Sequence, residues 1–277
     1  MAFCRNTGCS PTTFRSILRR VIIIGGVSLA MLFPVDASSV STAFAQDVPE
    51  STGDPFEYSW EVLFRKKSIG YSLSRFRYII HDDEQRLCAD GYRSFTFEAG
   101  PVSLRITEQT RAVWDDRGRI CELEARTAVG GDVTLTHVLR TTEGVSIVKE
   151  TERKEKEYFF AHDEYDHTEV GRFLHILDFQ DGEETLRILS ITEEKVKKIS
   201  YEFLGVCDYE VDGKDLACSR IGFDGPKSTG EMLVDELGIP VLFDMDTPLG
   251  PFTFIPCDPD VAKDTLFSEE MDFFEYP

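Results

Sequence analysis

Basic residues are scarce in this chain: 30 Lys and Arg stand against 50 Asp and Glu, a formal net charge of −20. A field of that sign repels nucleic acid and anionic lipid headgroups, which excludes a nucleic-acid-binding role. Long apolar runs are scarcer still. The one candidate, Val21–Val35, is broken by Gly25, Gly26, Ser28 and Pro34 and is shorter than the about 20 residues a spanning helix needs. Nothing downstream approaches that length, so no permanent membrane span is expected. No C-x-x-C occurs, which argues against a zinc ribbon or a thioredoxin-like site. There is no H-E-x-x-H, no G-x-S-x-G, no P-loop and no usable G-x-G-x-x-G. No fixed-period repeat is visible. These absences lead us to expect no enzymatic activity, no cofactor and no metal.

What is present begins with a leader. Arg5, Arg15, Arg19 and Arg20 precede the apolar run, and Ala43-Phe44-Ala45 follows it as a small-residue site. Positive leader, short apolar stretch and A-x-A site make up a secretory signal, so residues 1–45 are expected to be cleaved and the rest to be periplasmic or secreted. Arg19-Arg20 leaves the twin-arginine route open, but the flanks Leu18 and Val21 fit a Sec-type signal better. Residues 46–55 read as a Pro-, Ser-, Thr- and Gly-containing linker. Residues 56–257 read as one β-rich domain. Residues 258–277 read as a loose acidic tail with aromatics at Phe267, Phe273, Phe274 and Tyr276.

Within 56–257 the apolar period is two. Phe56, Tyr58, Trp60, Val62 and Phe64 share one face, with Leu63 out of phase. Further strands are expected at 69–80, 87–98, 102–114, 120–129, 133–141 and 145–149. After an interruption they resume at 185–191, 196–204, 206–211, 214–223, 230–235, 239–244 and 250–255. Turn residues recur at hairpin spacing, as in an antiparallel meander. In 120–129, Cys121 is expected on the face of Leu123 and Ala125. Asp166-x-x-Glu169 resembles a capping box, and Val170, Phe173, Leu174 and Leu177 fall at helical spacing. This predicts a short helix near 167–178, packed on the concave side of the sheet.

Five cysteines lie beyond the leader: Cys88, Cys121, Cys207, Cys218 and Cys257. The number is odd, so at least one has no intramolecular partner. Asp212-Gly213 suits a type I′ turn. That register sets Cys207 opposite Cys218, within disulfide range, and an oxidising compartment would keep the bond. The pairing of Cys88, Cys121 and Cys257 stays open.

Candidate binding residues follow from the same alternation. The stripe Tyr58, Trp60 and Phe64 could line an apolar pocket or form plain core. Glu108 falls on the face of Val102, Leu104, Ile106, Ala112 and Trp114. A carboxylate there must find a partner or take up a proton, and Arg93 on the neighbouring strand is available. Glu108 is thus either a polar anchor in a ligand cavity or a paired structural charge. His162, Asp163, Glu164, Asp166, His167 and Glu169 contain metal-ligand residue types, but their spacing fits no known ligand signature and overlaps the expected helix cap.

Several phrases, taken in order, are similar to a known group of proteins. They are Trp60-Glu61-Val62 with Ser68-Ile69-Gly70-Tyr71, Glu108 with Trp114 before Asp116-Arg117-Gly118, Glu169-Val170-Gly171-Arg172-Phe173-Leu174, and Leu233 to Val241 with Thr247-Pro248-Leu249-Gly250. The order resembles bacterial periplasmic proteins of uncharacterised function, built as a long curled antiparallel sheet around a helix like the lipoprotein-carrier half-barrel. The expected fold class is therefore mainly β, a half-barrel or open barrel with one short helix on its concave side. The expected function is non-enzymatic binding of a lipid or other apolar ligand on the concave face, involving Tyr58, Trp60, Phe64, Glu108 and Trp114. The alternatives are an interaction module for an envelope protein, using the acidic surface or a sheet edge, and a hydrolase-like enzyme of unrecognised type.

Overall fold

The computed structural model describes residues 55–99, 102–170, 173, 182–211 and 214–267. The strands of the first wing are β1 (Phe56–Phe64), β2 (Lys67–His81), β3 (Glu84–Ala99), β4 (Val102–Trp114), β5 (Ile120–Val129), β6 (Asp132–Arg140), β7 (Gly144–Thr151) and β8 (Lys154–Ala161). Those of the second wing are β9 (His167–Thr168), β10 (Glu183–Ser190), β11 (Lys195–Val211), β12 (Lys214–Gly225), β13 (Ser228–Val234), β14 (Pro240–Thr247) and β15 (Gly250–Pro256). A helix, α1 (Pro259–Phe267), follows. All 15 strands belong to one sheet, ordered from β8 down to β1, then from β15 down to β9.

Two features of this order position everything else. The first and last strands pair in the middle of the sheet, from Trp60 opposite Pro256 to Phe64 opposite Phe252. The free edges are β8 and β9, which are consecutive in sequence. β9 runs parallel to β10, whereas every other pairing is antiparallel. Edge strand β8 begins Lys-Glu-Lys-Glu, which discourages pairing with another chain.

One face of the sheet carries a continuous core drawn from both wings. Trp60, Phe76, Phe95, Trp114, Ile147, Ile188, Tyr201, Phe243 and Phe254 belong to it, each at most 3% exposed. Burial of each such side chain contributes about 1.5–3 kcal/mol. The curl brings the wings together: Val170 and Phe173 join this core, the Trp114 indole donates to Val170 O (2.7 Å), and Phe173 N donates to Gly238 O (2.9 Å).

The same turn closes both wings. Between β4 and β5, Asp115 Oδ1 accepts from the amides of Arg117 (3.0 Å) and Arg119 (2.8 Å). Between β13 and β14, Asp235 Oδ1 accepts from Leu237 (3.0 Å) and Ile239 (2.8 Å). Both end on a left-handed glycine, Gly118 (φ 73°) and Gly238 (φ 74°), where a side chain would strain the backbone. Each turn joins the fourth and fifth strands of a six-stranded meander, β1–β6 or β10–β15.

Helix α1 lies on the opposite face of the sheet from the main core. Ala262 and Leu266 pack on Leu73 and Tyr92 there. Lys263 Nζ meets Glu57 Oε2 at 2.6 Å, and Cys257 N donates to Ser59 O at 3.0 Å. A segment expected to be a loose tail thus begins with an ordered helix that follows β15 yet docks on β2 and β3, across β1.

Several sequence expectations are corrected. His167 and Thr168, expected to begin a helix, form strand β9 instead. Asp166 does not cap: its carboxylate accepts from Arg187 N (2.7 Å) and pairs with the Arg187 guanidinium. The rest of the expected helix, apart from the turn residues Glu169, Val170 and Phe173, lies outside the described residues. The expected strands 196–204 and 206–211 are one strand, β11, with a bulge where Gly205 takes φ 119°. β8, whose polar start masks it, was not expected. Trp114 pairs with Ile120 and Val113 with Glu122, which leaves Cys121 in a bulge. The bulge turns it outward to join Ile79, Cys88 and Val113, away from Leu123. Cys207 does lie opposite Cys218, yet both are free thiols. Opposition fixes the backbone separation, whereas a bond also needs convergent sulfur vectors.

The two aspartate turns give a direct stability test. Asp115→Ala and Asp235→Ala each orphan two backbone amides, and each is expected to cost about 2–4 kcal/mol. Urea unfolding midpoints of the two variants, compared with the parent protein, check this.

Candidate ligand-binding site

The concave face is not uniformly apolar. Register places Ser72 opposite Arg93, Arg93 opposite Glu108, and Glu108 opposite Thr127. The adjacent row runs Ser74, Gly91, Thr110, Ala125, Thr136, Lys149. These two rows make a polar belt between apolar ones. Arg93 Nη1 donates to Glu108 Oε2 at 3.0 Å, with both side chains almost wholly buried. Burial drives the Glu108 carboxyl up to about 7, against the pull of the Arg93 guanidinium. The hydroxyls of Ser74, Thr110 and Thr127 have no hydrogen-bond partner among the described residues.

The belt ends at the seam between the wings. Lys149 Nζ donates to Thr192 O at 3.0 Å and pairs with Glu194, in the turn between β10 and β11. Beside it, Glu193 gathers Lys195, Lys197 (3.2 Å) and Lys227 (2.8 Å). Although burial opposes ionisation, the three ammonium groups hold the Glu193 carboxyl down at about 2. Glu169 is buried against Lys197 and accepts from Thr192 N at 2.7 Å; burial raises its carboxyl above the usual range.

A cavity of about 320 Å³ opens at this place. The first turn of β11 (Lys195 to Ile199), Ile188 of β10 and the β12–β13 turn (Gly225 to Ser228) form its wall, with Glu169 closing one side. Ile188, Val196, Ile199 and Pro226 supply its aliphatic surface. This size lies at the lower end of small-molecule pockets. Apart from Glu169, named only as a cap residue and a metal-ligand type, sequence reasoning did not single out these residues. The lysines look like a solvated turn in the sequence, and the strand pairing from β9 through β13 brings Glu169 and the β12–β13 turn against them.

The residues named from sequence lie elsewhere on the concave face. Trp60 is 2% exposed and its indole donates to Val241 O at 3.0 Å. Tyr58 OH donates to Asp235 Oδ2 at 2.8 Å, which with burial raises the phenol well above its usual range. Phe64 packs on Phe97 and Phe252. The Trp114 indole is engaged by Val170 O, and Glu108 pairs with Arg93. None of the five lines the cavity. Among the described residues no group of three His, Cys, Asp or Glu could hold a metal ion. Both His162 ring nitrogens are engaged, with Tyr165 OH (3.0 Å) and Thr141 O (2.9 Å).

No protein-family model matches the sequence, and no curated protein is detectably similar to it. Solved structures are similar. A β-barrel-like protein of domain of unknown function DUF1849 from Brucella abortus matches with a TM-score of 0.53, over 74% of this chain and 96% of that one, at 9% identity. A DUF1089 family protein from Pseudomonas aeruginosa is 15% identical over 76% of this chain and 97% of that one, with a TM-score of 0.36. The first shares the fold; the second carries no structural argument. Together with the continuous curled sheet, the first places this chain in the class of barrel-like antiparallel β proteins, as the sequence resemblance implied.

The buried acid generates a pH test. The folded Glu108 carboxyl titrates at about 7, against 4.5 in the unfolded chain. The folded state therefore binds the proton more tightly. The associated stability is fully present below 4.5 and is lost as pH rises through 7. Urea unfolding at pH 5 and pH 8 is expected to show a loss between the two that Glu108→Gln reduces.

Proposed function

We propose that the protein is a non-enzymatic binding protein of the cell envelope, exported under the leader at residues 1–45. It holds a lipid-like or other amphipathic ligand against the concave side of its sheet. The observation that carries this reading is the 320 Å³ cavity at the β10–β13 end of that face, with part of its wall aliphatic. Elsewhere the face is filled by its own side chains, with Trp60, Phe76, Phe95 and Phe254 all nearly inaccessible. The aromatic stripe then acts as the rigid floor of the sheet, and the ligand sits where that packing stops. Unpartnered hydroxyls along the belt supply polar contacts for a ligand that reaches further in.

A partner-binding role has less support. Edge strand β8 exposes Phe159 (52%), but Lys and Glu fill its first half and oppose strand addition.

Native mass spectrometry of protein purified from its own envelope tests the reading. We expect a species heavier than the bare chain that loses a hydrophobic small molecule on activation. Repeated recovery of only the bare chain, with no affinity for added amphiphiles, would remove the proposal.

A further inference from the structure

We propose that the cavity between β10 and β13 selects ligands carrying one small anionic group, a carboxylate or a phosphate, which its lysines receive. This rests on the binding reading above and names the polar end of the ligand.

The charge of the cavity wall carries the inference. Four lysines, Lys195, Lys197, Lys198 and Lys227, line it against one glutamate, Glu169. The chain as a whole has a net charge of −20. A concentration of ammonium groups at one concave place therefore runs against the composition. Three of these lysines gather on Glu193, and Lys197 also faces Glu169. Two carboxylates cannot neutralise the four ammonium groups of the wall, so a surplus of positive charge faces the cavity. The surplus is not freely solvated: the Lys197 side chain is only 7% exposed, and burial lowers its pKa. A partly desolvated cation binds an anion more strongly than a surface lysine does. The aliphatic part of the same wall gives an alkyl chain somewhere to lie, so the two ends of an anionic amphiphile meet complementary surface.

The experiment is isothermal titration of the full chain with three probes: laurate, methyl laurate and inorganic phosphate. Laurate is expected to bind at least roughly tenfold more tightly than its methyl ester, the equivalent of about one partly desolvated ion pair. The double substitution Lys195→Met with Lys227→Met is expected to abolish that preference, weakening laurate about tenfold relative to methyl laurate. Should the double variant fail to fold, Lys227→Met alone is read the same way, because that side chain is 27% exposed. Phosphate binding that the same substitutions weaken would support the anion site and identify its source as a free anion. Equal wild-type affinity for laurate and methyl laurate, with no phosphate binding, overturns this inference but leaves the binding reading standing. Failure of both laurate forms to bind undermines the binding reading instead, and the phosphate result alone then decides the anion site.

Discussion

The pairing of β1 with β15 is the constraint on which the rest of the structure depends. A meander of this length has two ends, and left apart they would add two more exposed edges. Joining them in the middle makes the sheet continuous and moves the only break to β8 and β9. The right-handed twist accumulated over so many strands then curls the wings toward each other. Each wing alone would expose a broad apolar face; together they share one core.

At the break, side chains do what a ladder of backbone bonds does elsewhere. Lys149 reaches from β7 to the β10–β11 turn, and Arg187 of β10 holds Asp166. Trp114 grips Val170, in the segment that enters the interior. Polar groups gather where backbone pairing is missing, and the lysine-walled cavity lies beside them.

Much of this architecture was legible in the sequence, and the failures have physical causes. Two-residue alternation identified most strands because each has one face in a core, as in Tyr58, Trp60 and Val62. The Asp212-Gly213 dipeptide predicted the register in which Val211 faces Lys214 and Cys207 faces Cys218, since turn chemistry acts locally. Alternation fails wherever a bulge inserts a residue. Cys121 was assigned to the wrong face, and β11 was cut in two at Gly205. Asp166 has the spacing of a helix cap, yet Arg187, more than twenty residues away, captures its carboxylate. The cavity was invisible because its members come from separate elements and carry no common spacing. Glu169, Lys197 and Lys227 come from three separate places in the second wing, after β9, in β11 and between β12 and β13.

Helix α1 has a mechanical consequence. β1 enters and β15 leaves the sheet at the same end, with Trp60 facing Pro256. Tension between the two chain ends would load their hydrogen bonds one at a time, the weakest geometry for a ladder. Because α1 passes over β1 and anchors on Leu73 and Tyr92, that tension falls first on the helix. The acidic C-terminal region thus begins with a latch over the joint that keeps the two wings from unzipping.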